Sequence, residues 1–226
     1  MIMKKIFLLL IVISLVTTAF CDEKTNSTSE KPKVKSQNPT LFTILKKKYG
    51  STKTLKANFV QTQFNKMMGS EKKSEGILEI KRPDKFRWDT LKPDATLLVS
   101  NGKKIVYFTP PFQTGEKGQV IYKKSADVQS KLAIDLLSGS SNLQKDFKAK
   151  KAADGRYELT PIKKNLADIN KIELYIEPKT DLVYKLKLQH ATENETEIEL
   201  KNLNLGSQLE DSRFEFVPPP NTEEVK

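Results

Sequence analysis

The residues best equipped for chemistry in this 226-residue chain lie between Ile80 and Thr90, in "IKRPDKFRWDT". Lys81, Arg82, Lys85 and Arg87 surround a proline, a phenylalanine and the chain's single tryptophan. Cations interleaved with aromatics can grip phosphates and stack bases. Catalysis has less to work with. His190 is the only histidine and Cys21 the only cysteine, so these two residue types cannot complete a zinc site. Any Ser/His/Asp set would have to run through His190. That residue falls in phase with Leu186 and Leu188 at a strand end, where a lone histidine is far more often a packed or edge residue than a ligand or base. Neither G-x-x-x-x-G-K-[ST] nor G-x-G-x-x-G occurs. Acidic residues are plentiful, but they fall on the wet faces of predicted strands. The expectation is a protein with no catalytic residue, no metal and no cofactor.

The charge composition argues against nucleic acid. The net charge is +11, yet Arg82, Arg87, Arg156 and Arg213 are the only arginines. Lysine is a strongly hydrated point charge suited to a solvated surface, whereas arginine's planar fork is favoured for phosphate and base recognition. Acidic residues run among the lysines throughout. The pattern is that of a mixed surface, which can steer docking to an acidic partner or anionic headgroups.

The N-terminus carries an address. "MIMKK" is a short basic region, and Ile6–Val16 is an apolar run too short for an ordinary transmembrane helix. Thr17 and Ala19 follow at the spacing of small residues that a signal peptidase reads. Residues 1–21 are therefore expected to be a bacterial secretory signal, and the mature protein to be exported. Residues 22–38 contain one aliphatic residue, Val34, and no aromatic, so they cannot bury enough surface to offset ordering and are predicted to be a disordered polar linker. A single folded domain is expected over 39–220, with 221–226 as a C-terminal tail.

The elements that must position the Ile80–Thr90 cluster are mostly strands. A first helix is predicted from Asn38, as cap, to Gly50, with Leu41, Phe42, Ile44, Leu45 and Tyr49 at helical spacing. Strands are predicted at 57–64 and 76–82, with "NKMMGSEKKSE" as a long hairpin tip between them. Asn101-Gly102 is a strong hairpin signal. A second helix is predicted over Ser130–Gly139, capped by Ser130. After it come alternating strands with Ile172, Leu174 and Ile176, then Leu182, Tyr184, Leu186 and Leu188, then Ile198 and Leu200 on the apolar side. "RFEFVPPP" closes the chain with Phe214 and Phe216 in phase. Many hairpin-linked strands with few helices predict a mainly β (α+β) fold: an antiparallel meander curled into an incomplete barrel, the helices serving as a lid on its apolar face. Met67 and Met68, flanked by lysines in the hairpin tip, could touch a membrane or partner; the favoured expectation is that they fold back on neighbouring side chains.

Within that frame Arg82 continues the parity of Leu78 and Ile80, so it points toward the apolar face. Its five donors then need partners. It either snorkels to the sheet rim or donates to something over the sheet mouth, such as free carbonyls at a helix end. Phe86 and Trp88 share a parity opposite to Arg87 and Asp89 and are expected to pack inward, while Lys81 belongs to the wet side.

"ANFVQTQ", the block "GILEIKRPDKFRWDTLKPDATLLVSNGKKIVYFTPPFQ" and the terminal "RFEFVPPP" together resemble the periplasmic outer-membrane lipoprotein carrier family, the LolA proteins. The shared features are F-x-Q, K-R-P-x-x-F-x-W, P-D, L-V-S-[DN]-G-K and F-x-F-x-P-P, in order across most of residues 40–220. The resemblance implies an unclosed antiparallel β-barrel, or half-barrel, with a helical lid over a hydrophobic cavity. It implies a monomeric periplasmic chaperone that takes acylated lipoproteins from an inner-membrane ABC transporter and passes them to an outer-membrane lipoprotein acceptor. It implies that Arg82 latches the lid through hydrogen bonds to lid backbone, and that Phe86 handles cargo. The cavity is expected to be lined by Phe59, Leu78, Ile80, Phe86, Trp88, Leu98, Leu132 and Leu136. Two rivals share this fold: an outer-membrane acceptor anchored through Cys21, and a periplasmic lipid-binding regulatory domain. Mass spectrometry of the mature N-terminus distinguishes the first, and co-purified lipid the second.

Overall fold

Period-two alternation turns into one continuous sheet. The computed structural model describes residues 40–123, 129–137, 143–163 and 168–225; the predicted leader and linker, and Asn38, lie outside them. Strands β1 (Thr54–Asn65), β2 (Ser70–Lys81), β3 (Lys85–Lys92), β4 (Thr96–Asn101), β5 (Ile105–Thr109) and β6 (Gly118–Lys123) form a first meander. Helices α1 (Leu41–Tyr49), α2 (Gln129–Leu137) and α3 (Leu143–Asp146) precede and interrupt the strands. A second meander follows, made of β7 (Phe147–Lys151), β8 (Tyr157–Pro161), β9 (Ile169–Ile176), β10 (Val183–His190) and β11 (Glu195–Leu205); β12 (Thr222–Glu224) comes last. The order across the sheet is β12-β6-β5-β4-β3-β2-β1-β11-β10-β9-β8-β7, so β1 and β11 join the two meanders and the edges never meet. Both edges are blunted against pairing with another chain. β12 has three residues, and β7 displays Lys148, Lys150 and Lys151 to solvent. Among the described residues no helix is long and apolar enough to cross a membrane.

The inner face, which the helices cover, carries one large apolar cluster drawn from both meanders and both long helices. The outer face of β4–β6 carries a smaller one, Leu97, Val99, Val106, Phe108 and Val120, capped by Phe216. The chain after β11 covers this outer side as a strap. Its 3-10 turn, Asp211–Phe214, buries Phe214 at 1% exposure. "RFEFVPPP" is thus not a strand, because its aromatics cap a face already formed instead of alternating across a sheet.

The strap explains most of the basic residues in "IKRPDKFRWDT". Lys81 donates to the Leu209 carbonyl at 2.7 Å and pairs with Asp211 at 2.7 Å. Lys85 reaches the same carboxylate at 3.0 Å, and Arg87 donates to the Arg213 carbonyl at 3.4 Å. Lys81 is accordingly half-buried, not wet. Glu79, expected on a wet face, is fully buried beneath the strap. Arg213 grips its carboxylate with two bonds, at 2.6 and 2.9 Å, and Lys56 pairs with it at 3.0 Å. Burial alone would push the Glu79 carboxyl up, but the bonds from Arg213 and Lys56 hold it below the usual range.

Arg213→Ala is expected to cost about 1.5–3 kcal/mol at neutral pH, the size of a charge-assisted hydrogen bond to a buried acceptor. Lys56 and the partial exposure of Arg213 keep the loss from being larger. The sign with pH follows from the depressed folded pKa. The contribution is present above the unfolded value of about 4.3 and fades as pH falls through the folded one. Unfolding midpoints of parent and variant should therefore converge in acid; a gap that stayed constant from pH 7 to pH 3 would contradict this clamp.

Other departures from expectation are local. α1 is capped by Thr40, whose hydroxyl accepts from the Thr43 amide at 3.3 Å. Ser130 lies inside α2, which starts at Gln129, and Gly139 lies outside the described residues. β2 resumes at Ser70, so the first hairpin tip is only Lys66–Gly69. A register shift between Val183 and Lys185 buries Val183 and turns Tyr184 out to 42% exposure, breaking the expected Leu182–Tyr184 alternation.

Candidate binding site beneath the helices

The inner wall is built by cross-strand registration. Ile80 faces Phe86, Leu78 faces Trp88, and Trp88 faces Leu98, so three strands place these side chains in adjoining rows. Phe59 on β1 sits opposite Gly76, and its ring lies 4.6 Å from that of Trp88. Gly76 makes this possible. A Cβ there would stand 1.9 Å from the Asp89 carbonyl oxygen and 2.7 Å from the Phe59 ring. The adjacent bulge, where Glu75 pairs with Lys92 and Gly76 with Thr90, leaves Leu91 unopposed and 52% exposed.

The helices close over this wall. α1 contributes Leu41, Leu45 and Tyr49, while α2 contributes Ala133, Ile134, Leu136 and Leu137, with Leu132 partly buried against them. All eight side chains expected to line a cavity, Phe59, Leu78, Ile80, Phe86, Trp88, Leu98, Leu132 and Leu136, meet in this one cluster. The apolar stripes of the helices cover this wall. Two clefts open along the sheet, lined mainly by β1–β6 and their connections. One, about 530 Å³, includes Trp88, Leu98, Tyr107 and Ile121 with Gln61, Gln63 and Thr90. The other, about 1000 Å³, includes Phe86 and Ile105 beside Lys103, Lys104 and Lys123.

Two polar groups enter the apolar interior. The Tyr49 hydroxyl accepts from the Val183 amide at 2.8 Å, which pins α1 to the irregular start of β10. Burial pushes the phenol up to about 12, against the opposing influence of that bond and of Arg82. Arg82 is half-buried at the end of β2, beside Tyr49, Thr54, Leu55 and Ile80. Its backbone amide donates to the Lys53 carbonyl at 2.8 Å. Its side-chain Nη2 is buried, with no hydrogen-bond partner among the described residues. Burial lowers the guanidinium pKa, with Tyr49 opposing. His190 is remote from this group. It shares a hydrogen bond with the Thr196 hydroxyl at 3.0 Å, and burial lowers its pKa, so it is a packed strand-end residue. Among the described residues no three His, Cys, Asp or Glu side chains are placed to hold a metal ion.

Sequence reasoning missed Gly76, Glu79 and the strap. Gly76 had a signal, an isolated glycine inside a strand pattern, which often marks a bulge or a close approach. Glu79 had none, since its burial depends on a segment more than a hundred residues away.

Fold and site define an unclosed antiparallel half-barrel with helices laid across its apolar inner face. Residues 50–217 match the family described as "Outer membrane lipoprotein carrier protein LolA", and the chain belongs to that family. Among its relatives, the outer-membrane lipoprotein carrier protein of Chromobacterium violaceum is 29% identical over 182 residues, covering 80% of this chain and 85% of its own. That of Dechloromonas aromatica is 29% identical over 179 residues, covering 77% and 82%. A solved LolA superfamily structure from Nitrosomonas europaea aligns over 79% of this chain and 99% of its own, at 12% identity and a TM-score of 0.43.

Proposed function

We propose that this protein is a periplasmic chaperone that shields the acyl chains of lipoproteins between the inner and outer membranes. The observation that carries the reading is the single apolar cluster joining the inner sheet face to α1 and α2. It is a surface that the helices can cover or surrender to a guest. Each methylene kept from water is worth ~0.8 kcal/mol, so acyl chains cannot cross an aqueous compartment bare. Exchanging helix-to-sheet contacts for acyl-to-sheet contacts substitutes one apolar partner for another. The two states therefore lie close in energy, and loading and release need no ATP hydrolysis by the carrier.

Arg82 is the proposed latch residue. It sits where β2 leaves the sheet, against Tyr49 of α1, and its unpartnered Nη2 offers a donor to whatever backbone or cargo carbonyl arrives there. Phe86 and Trp88 each line a cleft on the sheet and are the proposed cargo-contacting wall. An inner-membrane ABC transporter would supply the cargo, and an outer-membrane acceptor would take it. The test is whether an acylated lipoprotein leaves inner-membrane vesicles in a soluble complex with this protein.

A further inference from the structure

The first hairpin projects beyond the sheet on one side. β1 and β2 stay paired to Asn65 and Ser70, whereas β3 ends at Lys92, opposite Glu75. Five residues of β2 thus extend past β3, about 17 Å at ~3.4 Å per residue. At the tip, Met67 is 96% and Met68 74% exposed. They do not fold back on neighbouring side chains, as the sequence reading expected. The turn that presents them is held by Met68 N to Asn65 Oδ1 at 3.0 Å within the turn, and by two contacts to the β10–β11 connection, Lys66 N to Asn194 Oδ1 at 3.0 Å and an ion pair between Lys66 and Glu193. At the same end, the end of β3 adds Leu91, 52% exposed, and the β5–β6 connection adds Phe112, 79% exposed.

We infer that this end of the protein docks on a lipid bilayer, with Met67 and Met68 entering the interface. Methionine is flexible and polarizable and adapts to an irregular apolar surrounding, and clustered exposed apolar groups mark an interaction surface. The charges decide between occupants. Lys66 pairs with Glu193, Lys72 with Asp94 and Lys73 with Glu71, so the rim holds balanced charge and is not a basic patch for an acidic protein. A balanced rim around protruding thioethers fits a bilayer interface whatever its headgroup charge, with lysine stems snorkelling toward the headgroups. The inference stands apart from the carrier reading. Should cargo use the smaller cleft, whose lining includes Gln63, Lys72, Pro93 and Asp94 at this same end, docking would bring that cleft to the membrane.

The test is flotation of the purified protein with vesicles of phosphatidylcholine alone and of phosphatidylcholine with phosphatidylglycerol, at low and high salt. Cys21→Ser is present in every arm, so that no lipid attached there contributes. The protein should float with both vesicle types, with little salt dependence. Met67→Glu with Met68→Glu should weaken partitioning about tenfold or more, with the melting midpoint unchanged because both side chains are exposed and the bonds that hold the turn come from other groups. Absence of flotation, flotation of the double variant like the parent, or flotation that needs anionic lipid and vanishes in high salt would each overturn the inference. Binding of a soluble fluorescent acyl probe, measured in parallel, reports on the carrier reading separately: a protein that binds the probe but never floats refutes the docking tip and leaves the carrier standing.

Discussion

Arg82→Leu is expected to fold at least as stably as the parent and to fail in handing over cargo. The backbone at this position is held by the bond from its amide to Lys53, which any residue except proline keeps. The side chain is different. Its Nη2 is buried without a hydrogen-bond partner among the described residues, and burial opposes its charge. A leucine there meets Tyr49, Leu55 and Ile80, all apolar or aromatic. Removing an unpaired buried donor recovers about 1–3 kcal/mol. In a domain of this size each kcal/mol raises the melting midpoint by about 2–4 °C. The functional consequence runs the other way. A carrier cycles only if its helix-covered and cargo-bound states stay within reach of each other, and every ~1.4 kcal/mol of bias changes their ratio tenfold. On the proposed latch role, replacing a costly arginine by a well-accommodated leucine removes the contribution that keeps these states in balance. Transfer of lipoprotein to acceptor-bearing vesicles should fall about tenfold or more, while the far-UV spectrum and cooperative melting remain. Normal transfer by Arg82→Leu would refute the latch.

The second large effect is structural. Gly76→Ala should cost about 3 kcal/mol, at the upper end of the range for overpacking a core. The added methyl would meet a backbone oxygen at 1.9 Å, and a backbone cannot swing aside as a flexible side chain does. The same methyl would strike the Phe59 ring, which packs tilted against Trp88, so the inner wall must shift with the sheet. Urea unfolding should give a lower midpoint with an unchanged slope. A loss below about 0.5 kcal/mol, the usual range of surface substitutions, would mean that β2, β3 and Phe59 are not packed this closely.

Local pattern was a good guide wherever one face of a strand is apolar and the other wet. The alternation at Ile172–Ile176 and the Asn101-Gly102 hairpin lie where period and turn chemistry put them. Phe86 and Trp88 point inward as their parity required, and the eight expected lining residues share one cluster. What failed were features created by distant chain. The strap gives the outer face a second apolar cluster and buries Glu79, so a carboxylate that reads as wet becomes an anchor for Arg213. The bulge at Val183–Lys185 shifts the parity of β10, and the Tyr49 hydroxyl of α1, far earlier in the chain, accepts from the amide of Val183. Met67 and Met68 were expected to fold back, because no sequence pattern reports that β3 stops short and leaves their hairpin without a neighbour on that side. The cation–aromatic block resolves in the same way. Lys81, Lys85 and Arg87 hold the strap on the outer side, Phe86 and Trp88 form the inner wall, and Arg82 stands between them at the rim.

On the proposed function, the inner face binds acyl chains. The most direct measurement mixes the purified protein with one lipoprotein in two forms, fully acylated and with its lipid-bearing cysteine replaced by serine, and follows complex formation by size-exclusion chromatography without detergent. A soluble complex is expected with the acylated form and none with the unacylated one, since burial of the chains supplies the affinity. Equal binding of both forms, or aggregation of the acylated lipoprotein with the protein eluting alone, would contradict it.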